Sequence, residues 1–233
     1  MNRMRALLID VGGTLWPDAW PNRPEDRQEQ MRRLLERVPG LAQEQASALV
    51  MALSVVHHPP TERQQTDVLI AQAVGAVRPN VVLSDAAVRN AMCLPPRGRV
   101  ELFPGARELL RGAAEGGLRV IVVSNVLWRD VLAHRRDFKE LGLSNYISDY
   151  VSSLDVGWRK PNPAFLDAAV SAAGCAPGDC VMVGDSETND IVPAHARGML
   201  AIRVAIAEPL PATTVADHVV DSLHAVAELL GLI

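Results

Sequence analysis

Four short polar stretches, each following an apolar and strand-like run, hold the residues that could act together on a phosphate group. They contain Asp10 with Gly12, Gly13 and Thr14, then Ser124 with Asn125, then Lys160, and finally Asp185 with Asp190. Each stretch alone would be an ordinary turn, because Asp and Gly are common turn formers. If the runs are parallel strands of one sheet, their carboxyl ends meet at one edge and the four stretches form a single pocket.

The residue types in that pocket suit phosphoryl transfer. Asp10 can attack phosphorus as a carboxylate nucleophile. Lys160 and the Ser124 hydroxyl can neutralise and hydrogen-bond the phosphate oxygens, and backbone N–H groups of the turn 12–14 can cradle them. The two carboxylates of the last stretch offer the hard oxygen ligands that suit Mg²⁺.

The elements that would position these residues alternate between strands and helices. Apolar or β-branched runs predict strands at 7–9, 120–123, 150–152, 180–183, 201–204 and 218–220. Helical spacing and glycine stops predict helices over 103–115, 129–141, 163–173, 187–198 and 222–230. This alternation predicts an α/β fold with a doubly wound parallel sheet and helices on both faces.

Residues 16–96 have a different sequence pattern, because they show no strand-like alternation of apolar and polar residues. Apolar residues at helical spacing predict helices at about 25–38 and 42–57, a third from a Thr61 cap to 77, and a fourth from a Ser84 cap to 93. We therefore predict a core domain of residues 1–15 and 97–233, with an all-helical domain of residues 16–96 inserted into it.

The bulk composition narrows the class of protein. The 233 residues carry 23 Lys and Arg against 27 Asp and Glu, a net charge of −4, so neither nucleic acid nor a membrane surface is an expected partner. No run approaches the ~18 apolar residues of a membrane span. The three cysteines lack metal-ligand spacing and indicate reduced thiols of a cytoplasmic protein. The basic run 134–136 predicts a solvated helix face.

In these motifs the chain resembles the haloacid dehalogenase-like (HAD) hydrolase superfamily, in its phosphatase-like branch. The resemblance covers residues 3–15 and 101–233, and the helical insertion lies where that family carries its cap. It implies a Mg²⁺-dependent phosphatase of small phosphorylated metabolites that works through an aspartyl-phosphate on Asp10. It also implies three groups of site residues: catalytic Asp10, Ser124 and Lys160; phosphate-binding Gly13, Thr14, Ser124, Asn125 and Lys160; and metal-binding Asp10, Gly12, Asp185 and Asp190.

One position departs from the family pattern. The family usually has a second Asp two residues after the nucleophile, where this chain has Gly12. In the family that Asp protonates the leaving oxygen and later activates water, help that is worth about 10²–10⁴ in rate. The backbone carbonyl of Gly12 could still serve the metal. The phosphonate-cleaving branch also lacks this Asp, but it needs a cap Lys, and no Lys precedes Lys139 here.

Several explanations of Gly12 stay open. The leaving group could need no proton, an acid could come from the insertion through His57 or Asp18, or weakened catalysis could leave a binding or regulatory protein. A 2-haloacid dehalogenase is a further alternative, for which Trp16, Trp20 and Arg23 could build a halide pocket. That branch typically lacks the acidic start of the last motif, so Asp185 favours the phosphatase.

Overall fold

The computed structural model describes residues 4–18, 23–54, 61–96, 98–206, 209 and 212–233. Its centre is a six-stranded parallel sheet in the order β3-β2-β1-β4-β5-β6. The strands are β1 (Ala6–Ile9), β2 (Arg119–Ser124), β3 (Asp149–Ser152), β4 (Cys180–Gly184), β5 (Leu200–Val204) and β6 (His218–Val220). The predicted α/β fold with a doubly wound parallel sheet is confirmed.

The described residues form ten α-helices, and those that follow the insertion cover both faces of the sheet. In chain order they are α1 (Pro24–Arg37), α2 (Gln43–Ser54), α3 (Thr66–Val77), α4 (Asp85–Met92), α5 (Ala106–Glu115), α6 (Val131–Glu140), α7 (Ser153–Val156), α8 (Pro163–Ala173), α9 (Val192–His195) and α10 (Leu223–Leu229). Successive strand side chains point to opposite faces. In β1, Leu7 and Ile9 accordingly join the apolar cluster under α5 and α10, whereas Ala6 and Leu8 join the cluster under α8.

Strand β1 lies in the middle of the sheet and has neighbours on both sides. Leu8 is paired in register with Ile121 of β2 and with Met182 of β4. Both neighbours are parallel to β1, so their carboxyl ends lie at the same edge as the end of β1. This edge brings together the polar stretches that follow β1, β2 and β4.

The helices α1 to α4 pack around an apolar cluster of their own, which includes Leu34, Leu49 and Ile70. The segment before α3 joins this group to the sheet through Gln64. Its backbone N–H donates to the carbonyl of Gly157 at 2.8 Å, and its side-chain amide donates to the carbonyl of Val126 at 2.7 Å. The insertion is therefore attached directly to the loops that follow β2 and β3.

Three predicted helices have different limits in the structure. Thr61 does not cap α3, which begins at Thr66 after Gln65, because residues 63–65 have no regular secondary structure. Helix α2 is described only to Ser54, so the predicted continuation to His57 lies outside the described residues. The helix predicted over 187–198 is a π-helical turn at Glu187–Ile191 followed by the short α9.

Within the described part of the chain, no helix combines the length and the apolar character needed to cross a membrane. Cys93, Cys175 and Cys180 are free thiols that form no disulfide.

Candidate active site

Asp10 follows the central strand and is almost fully buried at the sheet edge. Its backbone N–H donates to the carbonyl of Val183 at 2.9 Å, which continues the pairing of β1 with β4 by one residue. Its two carboxylate oxygens have different partners. Oδ1 accepts from Nζ of Lys160 at 2.5 Å, and Oδ2 accepts from the Thr14 hydroxyl at 3.3 Å. The carboxylate is thus held in one orientation.

Lys160 is the cation at the centre of the site and is 3% exposed. Besides Asp10, its Nζ donates to Oδ1 of Asp190 at 2.6 Å and to the carbonyl of Val123 at 3.3 Å. Burial by itself would lower the pKa of Lys160, but the Asp10 and Asp190 carboxylates hold that pKa above its ordinary value. Lys160 is therefore charged, and it joins the ends of three strands.

The end of β2 fixes the Lys160 backbone. The Asn125 side chain accepts from the N–H of Lys160 at 2.8 Å and donates to its carbonyl at 3.0 Å. Asn125 was predicted to bind phosphate, but both ends of its amide serve this clamp. Ser124 also lines the cavity, and its hydroxyl has no hydrogen-bond partner among the described residues, so it is free to meet a ligand.

Three carboxylates converge beside Lys160. Asp10, Asp185 and Asp190 each offer one oxygen within 4.8 Å of the other two, a donor set that can hold a metal ion. Asp190 approaches so closely because residue 184 is a glycine, where a Cβ would lie 2.6 Å from the Asp190 side chain. Its Oδ2 also accepts from the N–H of Ser186 at 3.2 Å.

This cluster carries an excess of negative charge. Burial raises the pKa of Asp185 to about 6, and the neighbouring Asp10 carboxylate adds to that effect. Burial also raises the pKa of Asp190, although Lys160 opposes the shift. Three carboxylates face one ammonium, and a divalent cation would balance the remaining charge. The residues present therefore fit a Mg²⁺ ion, which prefers carboxylate oxygens.

The turn after Asp10 is held by hydrogen bonds between its own backbone groups. Gly13 has a φ of +77°, and a Cβ there would lie 2.4 Å from Oδ2 of Asp185, so only glycine fits. Its N–H donates to the carbonyl of Trp16 at 2.7 Å, and the N–H of Thr14 donates to that of Val11 at 3.3 Å. These two N–H groups already have partners within the turn, and the phosphate cradle at residues 12–14 stays a prediction. The Thr14 side chain orients Asp10.

Gly12, unlike Gly13, is not held in a positive-φ conformation. A Cβ at this position would lie 2.5 Å from Oδ1 of Asp18, so the Asp18 carboxylate occupies the space that a side chain at residue 12 would need. Partial burial raises the pKa of Asp18, and the Asp10 carboxylate raises it further. Of the two acids proposed from the insertion, Asp18 lines the site, and His57 lies outside the described residues.

These residues open into a cavity of about 450 Å³ between the sheet edge and the insertion. Leu53 and Ser54 of α2 line its far side, and Trp128, Arg129 and His134 line another wall. The structure contradicts the prediction of a solvated face for His134, whereas Arg135 and Arg136 are exposed as predicted. His134 is 1% exposed and lies parallel to the Tyr150 ring at 6.3 Å, and neither of its ring nitrogens has a partner among the described residues.

Of the two described candidates for a halide pocket, Trp16 lines the cavity of Asp10 and Arg23 does not. The Arg23 side chain donates to Asp26 at 2.8 Å and does not line the cavity of Asp10. Trp16 is 3% exposed and packs 5.7 Å from the Phe138 ring in the sheet's apolar cluster. Trp20 lies outside the described residues.

The sequence comparisons agree with this geometry. Residues 4–198 match the family model of the haloacid dehalogenase-like hydrolases. A glyceraldehyde 3-phosphate phosphatase of Methanothermobacter thermautotrophicus is 32% identical over 106 residues, 44% of each chain. A phosphoglycolate phosphatase of Rhodospirillum rubrum is 35% identical over 104 residues, 45% of this chain and 42% of the relative. The chain thus covers less than half the length of either relative.

Solved structures share the fold over nearly the whole chain. The crystal structure of a HAD phosphatase from Thermococcus onnurineus has a TM-score of 0.65 and 21% identity, and the match covers 98% of both chains. A 2-haloacid dehalogenase from Pseudomonas syringae pv. Tomato has a TM-score of 0.57 and 19% identity, again over 98% of both chains. At these identities the similarity concerns the fold alone.

Proposed function

The chain belongs to the haloacid dehalogenase-like hydrolase family, and from that premise we propose that it is a phosphatase of small phosphorylated metabolites. One observation carries the proposal: the buried Lys160 ammonium lies between the Asp10 and Asp190 carboxylates, at 2.5 and 2.6 Å, on the wall of a cavity. A nucleophile and a cation for phosphate oxygens are thereby in contact before any substrate arrives.

In the proposed reaction the Asp10 carboxylate attacks phosphorus and the bond from phosphorus to the leaving oxygen breaks. Lys160 and the Ser124 hydroxyl hold oxygens of the transferred group, where preorganised donors are most effective. Asn125 acts as a positioning residue through the Lys160 backbone, and Thr14 acts through Asp10. Water then attacks the aspartyl-phosphate, releases inorganic phosphate and restores the carboxylate.

We propose that Asp18 supplies the acid and base that Gly12 lacks. Its carboxylate fills the space next to Gly12 and faces the same cavity as Asp10. In the first step it gives a proton to the leaving oxygen, and in the second it takes one from the attacking water. This exchange leaves Asp18 in its starting state after each turnover.

Asp10, Asp185 and the Gly12 carbonyl are the proposed ligands of Mg²⁺, with Asp190 contributing mainly through its bond to Lys160. The ion would supply charge stabilisation to the phosphoryl oxygens. The acidic cluster also favours a phosphatase over a dehalogenase, because it offers the ligands of a metal ion that could neutralise phosphate oxygens, whereas dehalogenation needs no metal. The proposed substrates are small, the proposed location is the cytoplasm, and residues 16–96 are proposed to act as the cap.

Release of phosphate from glyceraldehyde 3-phosphate in the presence of Mg²⁺ tests the proposal. We expect the Asp10→Asn variant to lose turnover while its circular dichroism spectrum stays unchanged. Asp67→Asn is the matched control, because Asp67 is an exposed carboxylate on α3. Turnover by Asp10→Asn would contradict the mechanism. Release of chloride from a 2-haloacid would support the dehalogenase alternative, and absence of any turnover would support a binding protein.

A further inference from the structure

Arg159 is a charged side chain of the cavity wall that the mechanism above does not use. It is half-buried, and its guanidinium has no hydrogen bond or ion pair among the described residues. The backbone on either side of it is fixed. Gly157 accepts a hydrogen bond from Gln64 at 2.8 Å, and Asn125 clamps both backbone groups of Lys160. The guanidinium is therefore presented from a rigid segment.

The other two cations on this wall already have anionic partners. Nε of Arg129 donates to Oδ2 of Asp137 at 2.6 Å, and its guanidinium also donates to the Leu94 carbonyl. Lys160 is held by Asp10 and a second carboxylate. Burial lowers the pKa of Arg159 with no carboxylate to offset it, yet a guanidinium stays charged at neutral pH.

The cavity has room for more than the transferred phosphoryl group. A phosphoryl group with a metal ion and its waters amounts to about six water-sized groups, or roughly 180 Å³ at roughly 30 Å³ each. More than half of the 450 Å³ cavity then remains for the organic part of a substrate. Arg159 and Lys160 both line this cavity, and they are consecutive in the chain. A ligand group at Arg159 would thus lie close to the phosphoryl group at Lys160.

We propose that Arg159 binds a second anionic group of the substrate, so that the enzyme prefers small phosphomonoesters with a carboxylate or a second phosphate near the reacting phosphoryl group. This inference rests on the proposed phosphatase function. A guanidinium presents two parallel N–H donors that match the two oxygens of a carboxylate or a phosphate. Lys160 holds the group that is transferred, and Arg159 holds the group that stays on the product.

Pairs of substrates that differ in one anionic group test the proposal. The first pair is 3-phosphoglycerate and glyceraldehyde 3-phosphate, and the second is propane-1,3-diol bisphosphate and 3-hydroxypropyl phosphate. With the full chain and Mg²⁺, we expect wild type to have a higher kcat/KM for the member of one pair that carries the second anionic group. Arg159→Gln should lower that preference about 10- to 100-fold, mainly through KM, as expected for a lost charge-assisted hydrogen bond. The pair with the larger change identifies the anion.

Arg159→Lys keeps the charge without the fork and should retain part of the preference. Arg111→Gln is the control for loss of one positive charge, because Arg111 is exposed on α5. No preference in wild type, or equal losses on both members of each pair in Arg159→Gln, would overturn the proposal while leaving the phosphatase intact. If Arg159→Gln does not fold, the wild-type preference and Arg159→Lys decide the question. Failure of wild type on all four substrates would instead overturn the phosphatase function itself.

Discussion

Replacing Asp18 with Asn is expected to slow the hydrolysis of alkyl phosphates while leaving nitrophenyl phosphate much less affected. An alkoxide leaving group needs a proton as the bond to phosphorus breaks, whereas nitrophenolate leaves without one. General acid–base help is worth about 10²–10⁴ in rate, or roughly 3–5 kcal/mol of activation free energy. We expect a loss in that range for glycerol phosphate and a loss below about tenfold for nitrophenyl phosphate.

The close approach of Asp18 to Gly12 also predicts the effect of substitutions at residue 12. A Cβ on residue 12 would lie 2.5 Å from Oδ1 of Asp18, closer than real Cβ contacts come. Gly12→Asp alone should therefore give no gain in rate, because the new side chain displaces the Asp18 carboxylate, which is the proposed acid. Combined with Asp18→Ala, the same substitution should recover much of the lost rate, because the space is then open and the backbone at residue 12 accepts a side chain.

Phosphate release from Asp18→Asn, Asp18→Ala, Gly12→Asp and the double variant Gly12→Asp/Asp18→Ala, measured with both substrates, completes the test. Asp67→Asn controls for the loss of one exposed carboxylate. The reasoning would be refuted if Asp18→Asn hydrolysed glycerol phosphate within about threefold of wild type. A large gain from Gly12→Asp alone would equally show that the wild-type protein has no working acid at this position.

Two further predictions concern stability. Gly13→Ala should lower the free energy of unfolding by more than the roughly 1–2 kcal/mol that a left-handed residue costs, because its Cβ also meets Asp185. Gly174→Ala is the control, since φ there is +65° and no atom lies near the Cβ, and urea unfolding should show a smaller loss for it. Equal losses would contradict the contact with Asp185. Without metal, the free energy of unfolding should fall as the pH rises from about 4 to about 6, because the folded Asp185, with a pKa of about 6, keeps a proton that the unfolded chain has lost. Mg²⁺ should raise Tm at pH 7. Asp185→Asn should weaken both the pH dependence and the Mg²⁺ effect, and a variant with the wild-type dependence on pH and Mg²⁺ would contradict the proposed metal site.

The sequence predicts the sheet well because apolar β-branched runs and glycine stops are local signals. The pocket follows from the sheet, since parallel strands end at one edge. Side-chain partners do not follow in the same way. The bonds of Asn125 to the Lys160 backbone, and of Lys160 to Asp190, depend on how loops from different strands meet. The sequence therefore does not reveal that Asn125 holds the Lys160 backbone, or that Asp190 bonds to Lys160 besides belonging to the carboxylate cluster.

The burial of His134 shows a second limit. A short basic run on a helix normally faces solvent, but α6 turns this residue toward Tyr150 of β3, and only the position of that strand decides the face. The turn 12–14 is a third example. The N–H groups of Gly13 and Thr14 donate to nearby backbone carbonyls. The Gly-Gly-Thr sequence alone does not reveal these bonds.

The central position of β1 has a consequence for how the protein is made. Asp10 and Lys160 are 150 positions apart, and Ala6 pairs with Cys180. At roughly 5–20 residues per second, β1 leaves the ribosome about 10 to 35 s before its partner β4 is complete. Helices α1 to α4, with an apolar cluster of their own, are synthesised during that wait and can fold first. The candidate site is thus completed late in synthesis, and until then the apolar strand that precedes Asp10 lacks its β4 neighbour and exposes an unpaired edge.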